Sequence, residues 1–213
     1  MTTPTHAAVL QVQQLSFRHA DLPALVADWS TAITTGVTLL HGDTGSGKST
    51  LLRLIAGHTP ASAGRLTLAG TALDDDPAAY RHHVFWCDPA TDAFDRVTAR
   101  ECSASLSAGD AEFDATAWQA LVDGFSLAPH IDKPMYMLST GSKRKVWLAA
   151  ALASGRRLTL LDEPTGGLDA PSIACLMDAL TRLATHPSRA IIVASSERLE
   201  RVPLSGLVEL PLR

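Results

Sequence analysis

The most informative segment of this chain reads Gly42-Asp43-Thr44-Gly45-Ser46-Gly47-Lys48-Ser49. It fits the pattern G-x-x-x-x-G-K-[S/T] at every fixed position, and it stands between an apolar run and a helical pattern. Glycines let the backbone wrap closely around a phosphate and adopt positive φ where needed. The exposed N–H groups and the start of the following helix then form an anion site. A glycine-rich turn with a chance lysine is the alternative, and the strand, loop and helix order argues against it.

Two side chains of this loop have specific tasks on a triphosphate. Lys48 reaches the β and γ phosphates as a mobile point charge, and Ser49 supplies a hydroxyl to Mg²⁺. The predicted nucleotide-binding segment runs from Gly42 to Thr50, which directly follows Ser49. The loop therefore predicts a site for a nucleoside triphosphate and its magnesium ion.

Length and composition indicate one well-packed domain. With 213 residues, 46% of them hydrophobic and 19% charged, the chain is long enough to bury a core and is not disordered. Its net charge of −4 argues against a wholly basic nucleic-acid binder, so no nucleic acid is expected as a partner. No apolar run approaches the roughly 18–20 residues that span a bilayer, and the N-terminus lacks signal-peptide features. The three cysteines form no CxxC pair, which predicts reduced thiols.

Apolar runs alternate with helical patterns along the chain. The predicted strands are Val9–Phe17, Gly36–His41, Arg65–Ala69, His83–Cys87, Leu158–Leu161 and Ala190–Ala194. The predicted helices that follow or precede these strands are Lys48–Ala56 and Pro171–Ala184. Strands that are apolar on both faces and alternate with helices predict an α/β fold whose parallel sheet is covered on both sides.

The segment from about 89 to 137 differs in character. It is polar to mixed, with helical patterns at Ala99–Leu106 and Phe113–Phe125, and a strong helix is predicted after it at Gly141–Ala153. We interpret residues of about 89–150 as a helical subdomain inserted into a single domain, 1–213.

An apolar strand ends in two carboxylates, Asp162 and Glu163, the first of them 114 residues after Lys48. Asp162 is suited to hold Mg²⁺, directly or through water. Glu163 is suited to polarise an attacking water, and Pro164 stiffens the loop behind it. A solvated acidic pair at a strand end is the alternative for this segment alone, and the phosphate-binding loop upstream favours the catalytic interpretation.

Two further segments flank the acidic pair, Leu138-Ser139-Thr140-Gly141-Ser142 before it and Thr165-Gly166-Gly167-Leu168-Asp169 after it. Their order resembles the ABC (ATP-binding cassette) ATPases, which carry an L-S-G-G-Q signature before the strand-end Asp-Glu and a D-loop after it. The resemblance runs from about Val9 to Val193. It implies a P-loop NTPase fold with a mostly parallel core sheet, an N-terminal antiparallel β part and a helical insert. It also implies ATP and Mg²⁺ as cofactors.

The resemblance further implies an assembly. The signature residues Ser139, Thr140, Gly141 and Ser142 would contact the γ-phosphate of a nucleotide held by the partner subunit, with Asp169 at the interface. The implied active unit is a head-to-tail homodimer, or a pseudo-dimer, with two nucleotides between its subunits. An ordinary helix N-cap is the alternative role of Ser139.

As an ABC ATPase, the chain is expected to power an integral membrane transporter subunit. That subunit would be a separate chain, because no apolar run here is long enough to span a bilayer. Its groove is expected near Trp86–Arg100, where the helical insert meets the core. The expected location is cytoplasmic, peripheral at the inner face of the cell membrane.

Several positions depart from the family pattern. Thr140 and Ser142 replace a glycine and the glutamine of the signature, and His19 stands where a tyrosine stacks on adenine. Asp88 takes the place of a glutamine that touches Mg²⁺ and the attacking water. Ser196 takes the place of a histidine that contacts the γ-phosphate. We keep Asp88 and Ser196 as candidate catalytic residues beside Glu163 and Lys48, and we expect slow hydrolysis.

Two alternatives to a transporter subunit remain open from the sequence. A degenerate cassette would bind ATP as a regulatory or structural module with little hydrolysis, as the changes at Asp88 and Ser196 suggest. A soluble non-transport ABC protein is the other alternative. The 114-residue spacing excludes the coiled coils of repair types, and translation types usually carry two cassettes in one chain.

Overall fold

Two β-sheets flank the helix that follows the phosphate-binding loop. The computed structural model describes residues 8–18, 23–88 and 91–212. In chain order its strands and helices are β1 (Ala8–Phe17), β2 (Val26–Thr34), β3 (Gly36–His41), α1 (Lys48–Ile55), β4 (Ala63–Leu68), β5 (Thr71–Ala72), α2 (Pro77–His82), β6 (Val84–Phe85), α3 (Ala99–Leu106), α4 (Ala115–Gly124), α5 (Thr140–Ala153), β7 (Leu158–Asp162), α6 (Ala170–Leu183), β8 (Ala190–Ser195) and β9 (Leu204–Glu209).

The larger sheet is parallel and has five strands in the order β6-β7-β8-β3-β9. β3 pairs with β8 from Gly36 opposite Ala190 to His41 opposite Ser195. All six residues of β8 are buried, because layers of structure cover both faces of the sheet. The parallel core sheet predicted from the apolar strands is confirmed.

The smaller sheet is antiparallel, with four strands in the order β2-β1-β4-β5. It confirms the predicted N-terminal antiparallel β part. β2 is missing from the strands that the sequence predicted. Only Val26 and Ile33 of its nine residues are buried, so it lacks the apolar run that marks a core strand.

The parallel sheet separates two apolar cores. Leu39 and Ile191 face the core that contains α3, α4, α5 and α6. Leu40 and Ile192, the next residues of the same strands, face the core that contains α1 and the antiparallel sheet. Successive side chains of a strand point to opposite faces, so each core strand supplies both layers. This packing fixes α1 between the two sheets and thereby places the phosphate-binding loop.

Three helices, α3, α4 and α5, lie in the chain between β6 and β7. α3 begins with a capping box, in which the side chains of Thr98 and Glu101 accept hydrogen bonds from each other's backbone N–H groups. The three helices predicted in this part of the chain are confirmed to within two residues. The outline of a subdomain over about 89–150 stays a prediction. None of the helices in the described ranges combines the length and the apolar composition needed to cross a membrane.

Candidate nucleotide site

The phosphate-binding loop connects the end of β3 to the start of α1, as the sequence predicted. Gly45 and Gly47 have φ values of 82° and 98°, in the left-handed region that glycine adopts without strain. Gly47 is the N-cap of α1, and it offers no side-chain acceptor to the first turn. The N–H groups at the start of α1 are therefore suited to an anion.

Lys48 is the charged centre of the loop. Its side chain is 5% exposed, and Nζ donates to the carbonyl oxygens of Gly42 at 2.6 Å and Asp43 at 3.0 Å. The same nitrogen lies 3.0 Å from Oε1 of Glu163. The ammonium thus joins the phosphate-binding loop to the acidic pair, which is distant in sequence.

Glu163 lies directly after β7, at the carboxyl end of the parallel sheet. Its N–H donates to the carbonyl oxygen of Ala194 at 2.9 Å, and its φ of 42° is in the left-handed region. The carboxylate accepts from the backbone N–H of Ser196, at 3.1 Å to Oε1 and 3.4 Å to Oε2. Because β7 and β8 are neighbouring parallel strands, their carboxyl ends bring Glu163 and Ser196 together.

One cavity of about 510 Å³ is lined by most of the residues predicted to bind and hydrolyse the nucleotide. It is lined by Thr44, Gly45, Gly47, Lys48, Ser49, Thr50, Glu163 and Ser196. Three of the four candidate catalytic residues are in this set, and Asp88 is not. The loop, the lysine and the water-polarising candidate therefore share one space large enough for phosphate groups and water.

Two buried oxygen atoms of the site have no hydrogen-bond partner among the described residues, Asp162 Oδ1 and Ser46 Oγ. Burial raises the pKa of Asp162 above its usual value, and a hydrogen bond with the Ser49 side chain opposes that shift. An orphaned carboxylate oxygen beside a hydroxyl fits a hard divalent cation, which takes oxygen ligands. Within the described ranges no group of three or more His, Cys, Asp or Glu side chains could hold a metal ion.

Asp88 is not brought into this cavity. The Asp88 carboxylate accepts from Arg53 Nη2 at 2.9 Å, and it lines a neighbouring groove with Trp86 and Phe94. Its role at the metal stays a prediction. His19 lies outside the described residues, so its stacking on adenine also stays a prediction.

The signature segment forms the start of α5. Ser139 is the N-cap, and its Oγ accepts from the N–H of Ser142 at 3.1 Å. The cap role expected as the alternative for Ser139 is therefore present. Ser139 and Thr140 are nevertheless exposed. Gly141 packs on the loop after the acidic pair, since a Cβ there would overlap the carbonyl oxygen of Gly167.

Asp169 is the N-cap of α6 and accepts from the N–H of Ser172 at 2.9 Å. Its carboxylate also accepts from Lys145 Nζ at 2.8 Å. The Lys145 ammonium, together with Ser172, holds the pKa of Asp169 well below its usual range. Asp169 is therefore a carboxylate at neutral pH, and it remains 58% exposed beside the signature helix.

Two functional contacts were missed by the sequence analysis. One is the backbone N–H of Ser196, which no side-chain pattern reveals. The other is Arg144, whose Nη1 donates to the carbonyl oxygens of Glu163, at 3.1 Å, and Gly166. The basic triplet Lys143-Arg144-Lys145 follows the signature in the sequence. It indicates that positive charges lie there, but it does not show which group Arg144 binds.

Comparisons with known proteins agree with these features. The sequence profile of a family described as "ABC transporter" matches residues 28–166. A cytochrome c biogenesis ATP-binding export protein, CcmA, from Rhodospirillum rubrum is 40% identical over 147 residues, which are 69% of this chain and 63% of that protein. A taurine import ATP-binding protein, TauB, from Pseudomonas entomophila is 33% identical over 204 residues, which are 93% of this chain and 77% of that protein.

Solved structures show the same fold. An ABC transporter ATP-binding protein from Pyrococcus furiosus superposes with a TM-score of 0.75 at 20% identity, over 94% of this chain and 96% of that one. The family profile matches well over half of the chain, and the relatives share a third or more of their aligned residues with it. The sequence therefore agrees with the fold in assigning the family. The chain belongs to the ABC transporter family, as an ATP-binding subunit of the ABC ATPase type.

Proposed function

We propose that this subunit binds ATP at Gly42–Thr50 and hydrolyses it with Glu163 as the group that polarises the attacking water. The supporting observation is the contact of the Glu163 carboxylate with both Lys48 and the Ser196 N–H inside the cavity of the loop. Lys48 is the residue that pairs with the β and γ phosphates in such loops. A bound triphosphate would therefore bring its terminal phosphate to the same place as Glu163.

Asp162 and Ser49 are the protein groups that we propose to hold Mg²⁺. Both present oxygen atoms, and Asp162 Oδ1 is buried without a partner in the described part of the chain. When bound, the ion neutralises negative charge on the phosphate oxygens and orients them. The Ser46 hydroxyl, also buried without a partner there, is suited to donate to a phosphate.

Glu163 contacts the Lys48 ammonium, a group that a triphosphate would also bind. Its carboxylate is paired with Lys48 and accepts from the Ser196 N–H. A triphosphate competes for the Lys48 ammonium, which would leave the Ser196 N–H as the remaining partner of Glu163 Oε1. The Glu163 side chain is 38% exposed, so water reaches the carboxylate and can donate a hydrogen bond to it.

The signature supports a head-to-tail homodimer with ATP at the interface. Ser139 and Thr140 are exposed at the N-terminal end of the 14-residue helix α5, and a helix N-terminus favours a phosphate. Asp169 is exposed beside them. We propose that Ser139, Thr140, Gly141 and Ser142 contact the nucleotide of the partner subunit.

We also propose a separate membrane subunit as the partner, with this chain at the inner, cytoplasmic face of the membrane. The relatives named above are ATP-binding proteins of export and import systems. A groove lined by Trp86, Cys87, Asp88, Thr91 and Phe94, among others, lies in the region predicted to receive that subunit. Its aromatic side chains suit a segment with apolar residues.

Two variants test the site. Lys48→Ala should weaken Mg-ATP affinity at least tenfold, or about 1.4 kcal/mol, in a calorimetric titration. Glu163→Gln should retain ATP binding and lower the rate of phosphate release by at least about a hundredfold. Arg65→Ala, which removes an exposed ion pair with Asp75, is the control for loss of a surface charge.

The outcomes separate the parts of the proposal. Equal affinity of wild type and Lys48→Ala would overturn the assignment of the loop. A Glu163→Gln variant that hydrolyses at the wild-type rate would overturn the role of Glu163. A wild-type chain that binds ATP and releases no phosphate, alone or with its membrane partner, would favour the degenerate cassette.

A further inference from the structure

One arginine of the signature helix reaches the backbone of the water-polarising candidate. Arg144 lies on α5, five residues after the N-cap Ser139. Its guanidinium Nη1 donates to the carbonyl oxygen of Glu163 at 3.1 Å and to that of Gly166. The two acceptors are three residues apart, so a single side chain spans the start of the loop that follows β7.

The loop is shaped to accept this side chain. A Cβ at Gly166 would overlap Arg144 Nη1, so any larger residue there would force the guanidinium to move. Arg144 is half-buried, and its hydrogen bonds are charge-assisted, which makes them stronger than hydrogen bonds between neutral groups. The hydrogen bonds of Arg144 therefore depend on the shape of this loop and are stronger than ordinary hydrogen bonds between neutral groups.

Glu163 needs such support because its backbone is not in a relaxed conformation. Its φ of 42° is in the left-handed region, which residues other than glycine adopt only with strain. The peptide N–H of Glu163 is fixed by Ala194, and its carbonyl oxygen accepts from Arg144 and from the N–H of Gly166, both at 3.1 Å. Both peptide groups that set the direction of the Glu163 side chain are thus held.

We infer that Arg144 is a positioning residue for Glu163, acting through the Glu163 carbonyl to aim the carboxylate at the attacking water. The inference rests on the proposed role of Glu163 in hydrolysis. Arg144 does not line the cavity of the phosphate-binding loop, so it acts on the rate of hydrolysis and not on ATP affinity. A misdirected carboxylate loses the geometry on which water activation depends.

The first test separates rate from affinity in the purified full chain. Arg144→Ala should lower the single-turnover rate of ATP hydrolysis roughly tenfold to a hundredfold, with ATP affinity by titration within about twofold of wild type. Arg144→Lys keeps a cation that can donate to both carbonyls, and it should recover part of the lost rate. Arg65→Ala, an exposed arginine paired with Asp75, should match wild type in both measurements.

Gly166→Ala tests the same contact without changing the arginine. The added Cβ displaces the guanidinium, so this variant should reproduce the rate loss of Arg144→Ala with ATP affinity unchanged. If Arg144→Ala fails to fold, Gly166→Ala still tests whether Arg144 positions Glu163. A wild-type rate in Gly166→Ala, or in a folded Arg144→Ala, would overturn the inference.

The pair Arg144→Ala and Glu163→Gln distinguishes this inference from the role of Glu163 itself. In the Glu163→Gln background, Arg144→Ala should change the residual rate less than about twofold, because residues that act as a unit are not additive. An equal loss in both backgrounds would mean that Arg144 acts elsewhere, and so would a loss of ATP affinity as large as the loss of rate. A wild-type rate in Glu163→Gln alone would instead refute the proposed function.

Discussion

Ser196 reaches the candidate site through its backbone and not through its side chain. The N–H that binds the Glu163 carboxylate is present in any residue except proline. The exposed Ser196 side chain lines the cavity beside Lys48 and Glu163. A larger donor can therefore be placed at this position without loss of the backbone contact.

Ser196→His should accelerate hydrolysis by at least about tenfold. A missing donor to developing charge typically costs 10²–10³ in rate, and an imidazole at this position can donate toward the terminal phosphate. Phosphate release at saturating Mg-ATP measures the effect. Glu197→His places the same side chain one residue further along, at another exposed position, and should leave the rate unchanged. A folded Ser196→His that is no faster would show that another group already supplies this contact.

Single residues differ in how well the sequence predicts them. Lys48 and Glu163 lie within local motifs, so their meeting follows from two strand ends at one edge of the sheet. Asp88 stands at a comparable strand end but is turned toward Arg53. The partners of Arg53 and Arg144 depend on how two helices are rotated about their axes. The sequence near either arginine does not reveal how its helix is oriented about its axis.

Among the elements, α5 is anchored at both ends. At its C-terminal end, the Arg189 guanidinium donates to the carbonyl oxygens of Ala151 and Leu152 and to Thr159 Oγ1, at 3.2–3.3 Å. Arg189 is 5% exposed, and burial lowers its pKa to about 10. The last carbonyls of a helix lack partners within it. Arg189 supplies a donor to Leu152, adds to the Ser154 N–H at Ala151, and ties α5 to β7.

Arg189→Met should lower the free energy of unfolding by about 2–3 kcal/mol. Methionine fills much of the volume but removes the Arg189 donor from the Leu152 carbonyl oxygen, at about 1–3 kcal/mol for such a group, while Ala151 keeps the Ser154 N–H. The midpoint of urea denaturation should fall, while Arg65→Ala, at a surface ion pair, should stay within about 0.5 kcal/mol of wild type. An unchanged midpoint in Arg189→Met would show that these hydrogen bonds contribute nothing net.

The elements that the sequence predicted share a strong local signal. β3, β7 and β8 are almost entirely buried, so continuous apolar runs revealed them. β9 is an edge strand, with Leu204 and Leu207 about half exposed, and neither alternation nor an apolar run marks it. The six-residue helix α2 was missed although Asp76 at the N-cap and Pro77 at the first position are recognised start signals. Its shortness left no helical period to detect.

At the scale of the whole molecule, the described groups form only part of the proposed catalytic unit. The exposed signature and Asp169 lie on α5 and α6, whereas the cavity with Lys48 and Glu163 lies at the start of α1. In the proposed dimer each subunit supplies one of these parts to each nucleotide. Bound ATP would then hold the two subunits together, and hydrolysis would let them separate.

The dimer is testable with a pair of variants that differ in one charge. Glu163→Gln, which preserves shape and removes the proposed base, should form an ATP-bound dimer at saturating Mg-ATP, so light scattering should give about twice the 22.6 kDa of one chain. Adding Ser139→Asp keeps a good N-cap for α5 but sets a negative charge against the partner's phosphate. The double variant should therefore remain monomeric while it still binds ATP. A monomeric Glu163→Gln under these conditions would contradict the ATP-bound dimer. A dimer that survives Ser139→Asp would show that the two chains associate through another surface, because a carboxylate facing a phosphate would separate them.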